Sequence, residues 1–373
     1  MIRAEINDKE LLEHLSSIEK DGMSIFVMAD GRIRGALFNG SRFVNDMRAQ
    51  HGLGILETMV LGQACLCGAL MIPTMKGREH LTFRYDTNGP AAGFSVEADS
   101  SGTVRGFLLQ NPIPIDKPLE SWDLSPFFGP GTVSVTRMQE GNKVPQTGTT
   151  EILFKNIAQD LTWYFQQSEQ IQTAFNTSIM MDRAGRVTGA GGLFLQVMPD
   201  AGGKLSEKLK ERAAKKKGSA SSTTGAPTDA TAAETSSGVA QNAAVDAASG
   251  AGTAASDDEL LERVEAAFRA APPLGQWFSE KGDRDDIIYG LFREFSPSVV
   301  LERDILFDCP CSQDVFIRHI RSLGGVELAD IKKNGPDPLE IVCHNCGSVY
   351  RIPVESLLPR ANQFPGAKSG ESS

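Results

Sequence analysis

Six cysteines occur in the 373 residues, and four of them fall in one C-terminal stretch, Cys309 and Cys311 as C-P-C and Cys343 and Cys346 as C-H-N-C. The two pairs stand 31 residues apart. Two short pairs that each turn both thiolates toward one point are what a tetrahedral Zn²⁺ takes from a small module with little apolar material of its own. The second pair has the ordinary knuckle spacing, with Gly347 after its last cysteine to permit a tight turn. In the first pair a regular strand would send Cys309 and Cys311 to opposite faces, so both reach one ion only where Pro310 breaks the strand. Four buried structural thiols are the bland explanation, but Asp308, Pro310, Ser312, His344, Asn345 and Gly347 do not make a core environment. His344 competes weakly as a ligand. Because the four cysteines complete the set, it is expected instead to join Arg318, Lys332, Lys333 and Arg351 in offsetting the negative charge of zinc on four thiolates.

Zinc holds thiolates deprotonated while shielding them, and oxidation would remove the ligands and therefore the ion. A structural zinc contributes about 10–16 kcal/mol of apparent folding free energy, against about 3–5 kcal/mol from a core of this size. Loss of the ion is therefore expected to unfold the segment from Asp308 to Leu358. The residues alone leave three readings open. One is a redox switch; another is an inert zinc clip in a constitutive protein-interaction module. The third is a thiol-disulfide oxidoreductase working through Cys343 and Cys346, disfavoured because C-H-N-C lacks a redox βαβ context.

The elements that must carry this stretch read as follows. Met23 to Met28 and Arg32 to Phe38 are apolar runs around Asp30-Gly31, which predicts a hairpin with a two-residue turn. Phe43 to Gln50 and Leu56 to Met71 read as helices, the second limited by Pro73. Strands are expected at Leu81 to Tyr85, Gly93 to Glu97, Val104 to Leu109 and Thr132 to Arg137. Ile157 to Ser168 has the spacing of an amphipathic helix, and Met180 to Asp182 with Arg186 to Met198 suggest a strand pair. Helices among strands joined mostly by hairpins predict an α+β fold.

Several features imitate active-site chemistry. Cys65 and Cys67 form a second C-x-C, but on a helix positions i and i+2 do not face each other, and core packing is expected. Gly189, Gly191 and Gly192 lack the lysine-serine pair of a phosphate loop. His51 beside Gly52 reads as a helix end, while Glu57, Asp86, Glu97 and Asp99 show no paired-carboxylate geometry. Neither G-x-S-x-G nor H-E-x-x-H occurs, which removes two common hydrolase classes.

The formal charge of −10 argues against a general nucleic-acid binder, and no run approaches 18 uninterrupted apolar residues, so no membrane partner is expected. The N-terminal residues lack the pattern of a signal peptide. A reducing cytoplasm is implied, where clustered cysteines mean metal or redox chemistry rather than stapling. From Gly218 to Ser256 alanine, serine, threonine and glycine dominate, aromatics are absent, and disorder is expected. Charged residues 208–217 precede it. Beyond it, Ser256 with Glu259 is a capping-box candidate. Leu260, Leu261, Val264, Ala267 and Phe268 line one helix face until Pro272 and Pro273. A second stripe, Ile287, Ile288, Leu291, Phe292 and Phe295, is weakened by Gly290 and ended by Pro297.

The cysteine spacing occurs together with R-A-Q-H-G at 48–52, T-M-K-G at 74–77 and N-G-P at 88–90. It also accompanies V-E-A-D-S-S-G-T-V-R-G at 96–106, D-L-T-W-Y-F-Q-Q-S-E-Q-I at 160–171 and G-G-L-F-L-Q-V-M-P at 191–199. In these respects the chain closely resembles the Hsp33 family of redox-regulated chaperonins, the insertion departing from its compact pattern. The resemblance implies an N-terminal chaperone core at 1–203 and a charged flank with the insertion at 204–256. A metastable helical linker at 257–307, a zinc module at 308–358 and a flexible tail at 359–373 would follow. It implies one Zn²⁺ per chain in the reduced, inactive state, held by Cys309, Cys311, Cys343 and Cys346. On oxidation, disulfides would form between Cys309 and Cys311 and between Cys343 and Cys346, zinc would leave and the linker would loosen. The apolar surface so exposed would hold unfolding client proteins without ATP, with Phe268, Ile288, Leu291, Phe292 and Phe295 as candidates, and the oxidised protein would dimerise. No catalytic residue is expected.

Overall fold

The computed structural model describes residues 1–115, 121–198, 241–242 and 255–357. The expected disorder of 218–256 therefore falls, but for four residues, outside the described backbone, as do the charged residues 208–217, the 203/204 boundary and the tail. The Ser256 cap falls outside the described side chains. The described chain forms two compact units, one running from Ala4 to Asp308 and the other made of Met1–Arg3 with the residues from Cys309 on.

The larger unit is α+β, with two six-stranded sheets. The first sheet contains β1 (Gly22–Met28), β2 (Ile33–Asn39), β8 (Thr173–Met181), β9 (Val187–Val197), β10 (Gln241–Asn242) and β11 (Ser298–Arg303), in the order β10-β8-β9-β2-β1-β11. The second contains β3 (Glu79–Thr87), β4 (Gly93–Asp99), β5 (Thr103–Leu108), β6 (Gly131–Gln139), β7 (Gln146–Glu151) and β12 (Leu306–Phe307), in the order β12-β5-β4-β3-β6-β7. The β12 to β5 pairing is parallel and all others are antiparallel. In the second sheet, burial alternates along β3 and β5, as a sheet with one wet face requires. In the first, β2, β8 and β9 are buried almost continuously, which means that both faces are covered.

Helices α1 (Lys9–Ser17), α2 (Ser41–His51), α3 (Ile55–Met71) and α4 (Ile157–Tyr164) belong to this unit. Helix α3 touches β4 and β5 of one sheet and β2, β8 and β9 of the other. Every residue from Leu56 to Met71 is buried, so this helix, long and apolar enough by composition to cross a bilayer, is the core helix between the sheets. Cys65 and Cys67 lie within it fully buried, and burial pushes both thiols well above the ordinary range.

Two expectations need correction. The hairpin between β1 and β2 closes at Met28 and Ile33, leaving four loop residues rather than two. Ala29, Asp30 and Gly31 all have positive φ, and the Ala29 N–H is donated to the Phe295 carbonyl at 2.8 Å instead of to the ladder. The strand expected to begin at Met180 begins at Thr173, and β7, all of it outside the expected strands, pairs with β6. Both stretches are polar, with Asn176, Thr177 and Ser178 in β8 and Q-T-G-T-T-E in β7, so neither carries an apolar alternation.

The segment after the insertion packs on the outer face of the first sheet. It holds α5 (Ala255–Arg269), α6 (Leu274–Ser279), a π-helical turn at Asp286–Leu291 and a 3₁₀ turn at Arg293–Phe295, then β11 and β12. Phe268, Phe278, Ile287, Ile288, Phe292 and Phe295 form one core with Phe26, Leu37, Leu193 and Leu195. The Phe26 and Phe292 rings are 5.8 Å apart. Glycines make this docking close. A Cβ at Gly189 would strike the Gly275 carbonyl, and one at Gly275 would stand 2.6 Å from the Met180 nitrogen. The glycine-rich start of β9 is thus a seat for α6. An ion pair of 3.1 Å joins Arg284 to Glu19.

Candidate metal centre

The smaller unit is built around its cysteines. Helix α7 (Gln313–Arg321) starts at Ser312, whose hydroxyl accepts from the Val315 N–H at 3.3 Å, and α8 (Gly325–Asn334) follows after a short turn. Strands β13 (Leu339–Val342) and β14 (Val349–Ile352) form a hairpin, with Val342 opposite Val349. The C-H-N-C knuckle is the connection of that hairpin. Cys343 donates its N–H to the Ser348 carbonyl at 2.9 Å, and the Gly347 N–H returns to the Cys343 carbonyl at 2.7 Å. Gly347 takes φ 69°, which a residue without Cβ adopts at no steric cost. The C-P-C segment is irregular backbone, with Pro310 exposed and both cysteines buried.

The two pairs meet across the module. The Sγ atoms of Cys309 and Cys343 are 3.8 Å apart and those of Cys311 and Cys346 are 3.4 Å apart. All four sulfurs lie within 4.8 Å of one another. Among the described residues this is the one group of three or more His, Cys, Asp or Glu side chains placed to share a metal ion. Zn–S bonds of about 2.3 Å in a tetrahedron imply sulfur–sulfur edges of about 3.8 Å, so the spread fits a four-coordinate thiophilic cation. Two of the thiols are raised. A hydrogen bond with Cys309, and burial, push Cys343 up; hydrogen bonds with Cys309 and Cys343, and burial, push Cys346 up. A cation at their centre reverses that logic, because a coordinating thiol is deprotonated outright.

His344 is exposed and outside the four-sulfur cluster. Arg318, Lys332, Lys333 and Arg351 are exposed too, and Arg351 pairs with Glu340 at 3.3 Å. The strand alternation that turns Tyr350 inward turns its neighbour to solvent.

In the larger unit the remaining candidates are structural. His51 ends α2 and sets its ring edge-on to Phe307 at 5.9 Å, with Gly52 at φ 62° closing the helix. Glu57 accepts from the Ile113 N–H at 2.9 Å. Asp86 pairs with Arg84 at 2.7 Å. Glu97 lies 3.5 Å from His80 and also pairs with Arg105, while Asp99 holds the Ser101 N–H at 2.8 Å. Of the proposed client residues, Phe268, Ile288, Phe292 and Phe295 are buried and Leu291 is partly so.

The family model described as Hsp33 protein matches residues 21–353. The chain belongs to the Hsp33 family. A protein named 33 kDa chaperonin from Geobacter sulfurreducens is 23% identical over 91% of this chain and 95% of its own length. Another of that name from Lachnoclostridium phytofermentans is 26% identical over 88% and 94%. The crystal structure of the Thermotoga maritima 33 kDa chaperonin, an Hsp33 homologue, matches with a TM-score of 0.68 at 23% identity, covering 91% of this chain and 97% of that one. It has the same α+β fold.

In this Hsp33-family chain the sequence reading passed over Ser348 and Tyr350, whose hydroxyls each stand 3.2 Å from a cysteine sulfur. The signal was present in the period of two. Cys346, Ser348, Tyr350 and Ile352 are buried while Val349 and Arg351 are exposed, so the second cysteine pair and the strand after it share one inward face.

Proposed function

We propose that the chain is a redox-regulated holdase chaperone, inactive while reduced and zinc-bound, with Cys309, Cys311, Cys343 and Cys346 as the ligands. The observation that carries this reading is how little else the smaller unit buries. Helices α7 and α8 bury no residue at all. Beyond the four cysteines, its buried apolar side chains among the described residues are Tyr350, Ile352 and Leu357. A module so composed depends on its ion, worth about 10–16 kcal/mol of apparent folding free energy.

Bound at the four sulfurs, zinc would supply thiolates at neutral pH and shield them from adventitious oxidation. Peroxide oxidises one thiolate of a pair to sulfenic acid and releases hydroxide; the neighbouring thiolate then displaces a second hydroxide to close the disulfide. Four thiolates and two peroxides thus become two disulfides and four hydroxides, and the ligand set is gone. The disulfides of this proposal form within the pairs, Cys309 with Cys311 and Cys343 with Cys346. The residues from about Asp308 to Leu358 then unfold and destabilise the 257–307 segment. Its apolar face, including Phe268, Ile288, Leu291, Phe292 and Phe295, becomes available to unfolding clients without ATP. The oxidised chain dimerises, works in the cytoplasm, and engages neither nucleic acid nor membrane. The cysteines act once per switching event as sensors and not as turnover catalysts.

The test measures zinc content, thiol state and suppression of client aggregation on the same samples before and after peroxide under mild unfolding stress. Zinc release and disulfide formation should accompany the onset of suppression. Zinc release without suppression sinks the holdase reading. Retained zinc with unchanged client binding would favour a constitutive interaction module, and repeated turnover of substrate disulfides would favour an oxidoreductase.

A further inference from the structure

Two hydroxyls reach the sulfur cluster from β14 and the knuckle before it. Tyr350 Oη stands 3.2 Å from Cys311 Sγ and donates to the Cys311 carbonyl at 3.0 Å. Ser348 Oγ stands 3.2 Å from Cys346 Sγ, accepts from the Ile2 N–H at 3.2 Å and donates to the Ile2 carbonyl at 3.1 Å. They touch one sulfur of each pair, and those two sulfurs are the ones 3.4 Å apart. Both side chains are buried, and the Tyr350 ring is fixed against Phe316 of α7 at 5.3 Å. Neither contact is an accident of surface mobility.

We propose that Tyr350 and Ser348 are positioning residues of the metal centre, whose hydroxyls hold Cys311 and Cys346 in place and set how readily the centre yields to oxidant. The inference rests on the zinc-switch reading and deepens it. Each hydroxyl has one proton and a choice of acceptors. A metal-bound thiolate carries negative charge, and hydrogen bonds to charged acceptors are about twice as strong as those to neutral ones, so in the loaded centre both protons turn from the carbonyls to sulfur. A donor at sulfur draws off electron density, which makes the sulfur a poorer nucleophile toward peroxide. For Cys311 the contact has a second consequence. The C-P-C spacing gives Cys311 no knuckle of its own, and the Tyr350 hydroxyl lies within reach of both its sulfur and its carbonyl. Removal of either hydroxyl should speed loss of the ion under peroxide while leaving the apolar packing intact.

Tyr350→Phe keeps the ring on Phe316, Ser348→Ala removes the other hydroxyl, and Ser348→Thr retains it. Each full-length variant is loaded with zinc, and release under peroxide is followed with a chromogenic zinc chelator. Each is also loaded with Co²⁺, and the sulfur-to-cobalt charge-transfer band is recorded. Loss of a hydrogen bond to a charged group should accelerate release roughly tenfold and move the band to lower energy, with Ser348→Thr restoring parental behaviour. Parental release rates and band positions in both Tyr350→Phe and Ser348→Ala would overturn the inference while leaving the zinc switch standing. If Tyr350→Phe fails to load, Ser348→Ala decides alone, since it leaves the ring pair untouched. A parent chain that binds neither ion would end both this inference and the switch reading.

Discussion

Replacing Cys343 by serine removes one thiolate from a set of four whose sulfurs all lie within 4.8 Å. The remaining three leave an open site, so the variant should purify with little zinc and with residues 309–357 unprotected from hydrogen exchange. Stoichiometric zinc in that variant would remove Cys343 from the ligand set. Glu97 offers a separate test in the larger unit. The His80 hydrogen bond, with Arg105 beside it and against the effect of burial, holds this carboxyl down to about 2 from an ordinary 4.5. The unfolded chain therefore binds the proton more tightly than the folded one. The resulting stability is fully present above about pH 4.5 and is lost as pH falls toward about 2. Glu97→Gln should flatten the stability profile across that window in urea titrations, and a profile as steep as the parent's would show that Glu97 is not the responsible group.

At the scale of elements, the contact between α6 and β9 depends on what is missing from three side chains. Gly189 and Gly191 of β9 and Gly275 of α6 let helix backbone lie against strand backbone, and Phe278 fills the space beside Gly191. A methyl at Gly189 meets a carbonyl oxygen and the Ser279 backbone, neither of which can turn aside. Overpacking of this kind costs about 1–3 kcal/mol. Gly189→Ala should lower the urea midpoint of the larger unit and speed proteolysis within 257–307. An unchanged midpoint would mean that the helix shifts freely and that the close seat is dispensable. In the sequence Gly189 and Gly191 could only be excluded as part of a phosphate loop. Their use became visible only with the helix above them.

For the whole molecule, the two units differ in what keeps them folded. The larger has a fully buried helix between two sheets and a further aromatic core on its outer face. The smaller has four cysteines and three other buried apolar side chains among its described residues. Chelation of the ion from the reduced protein should therefore abolish hydrogen-exchange protection in 309–357 while β2, β8 and β9 stay protected. Protection retained in 309–357 without metal would show that apolar packing alone suffices there.

What depends on near neighbours was legible in the residues alone. The cysteine spacing, the knuckle turn at Gly347, the apolar helix from Leu56 to Met71 and the stripe from Ile287 to Phe295 are local patterns. Such patterns constrain residues within a few positions of one another along the chain. The rest came with contacts between distant parts of the chain. Polar β7 and the Asn176–Ser178 middle of β8 became strand because sheet neighbours satisfy their backbones, with no apolar alternation to announce them. The loop after β1 lengthened because Ala29 found the Phe295 carbonyl, 266 positions later. The stripe acquired Phe26 and Leu193 as partners, and Tyr350 and Ser348 came within reach of sulfur. Contacts between residues far apart in the chain follow from close packing and from the need of buried polar groups for partners, and neither is written in any short window of residues.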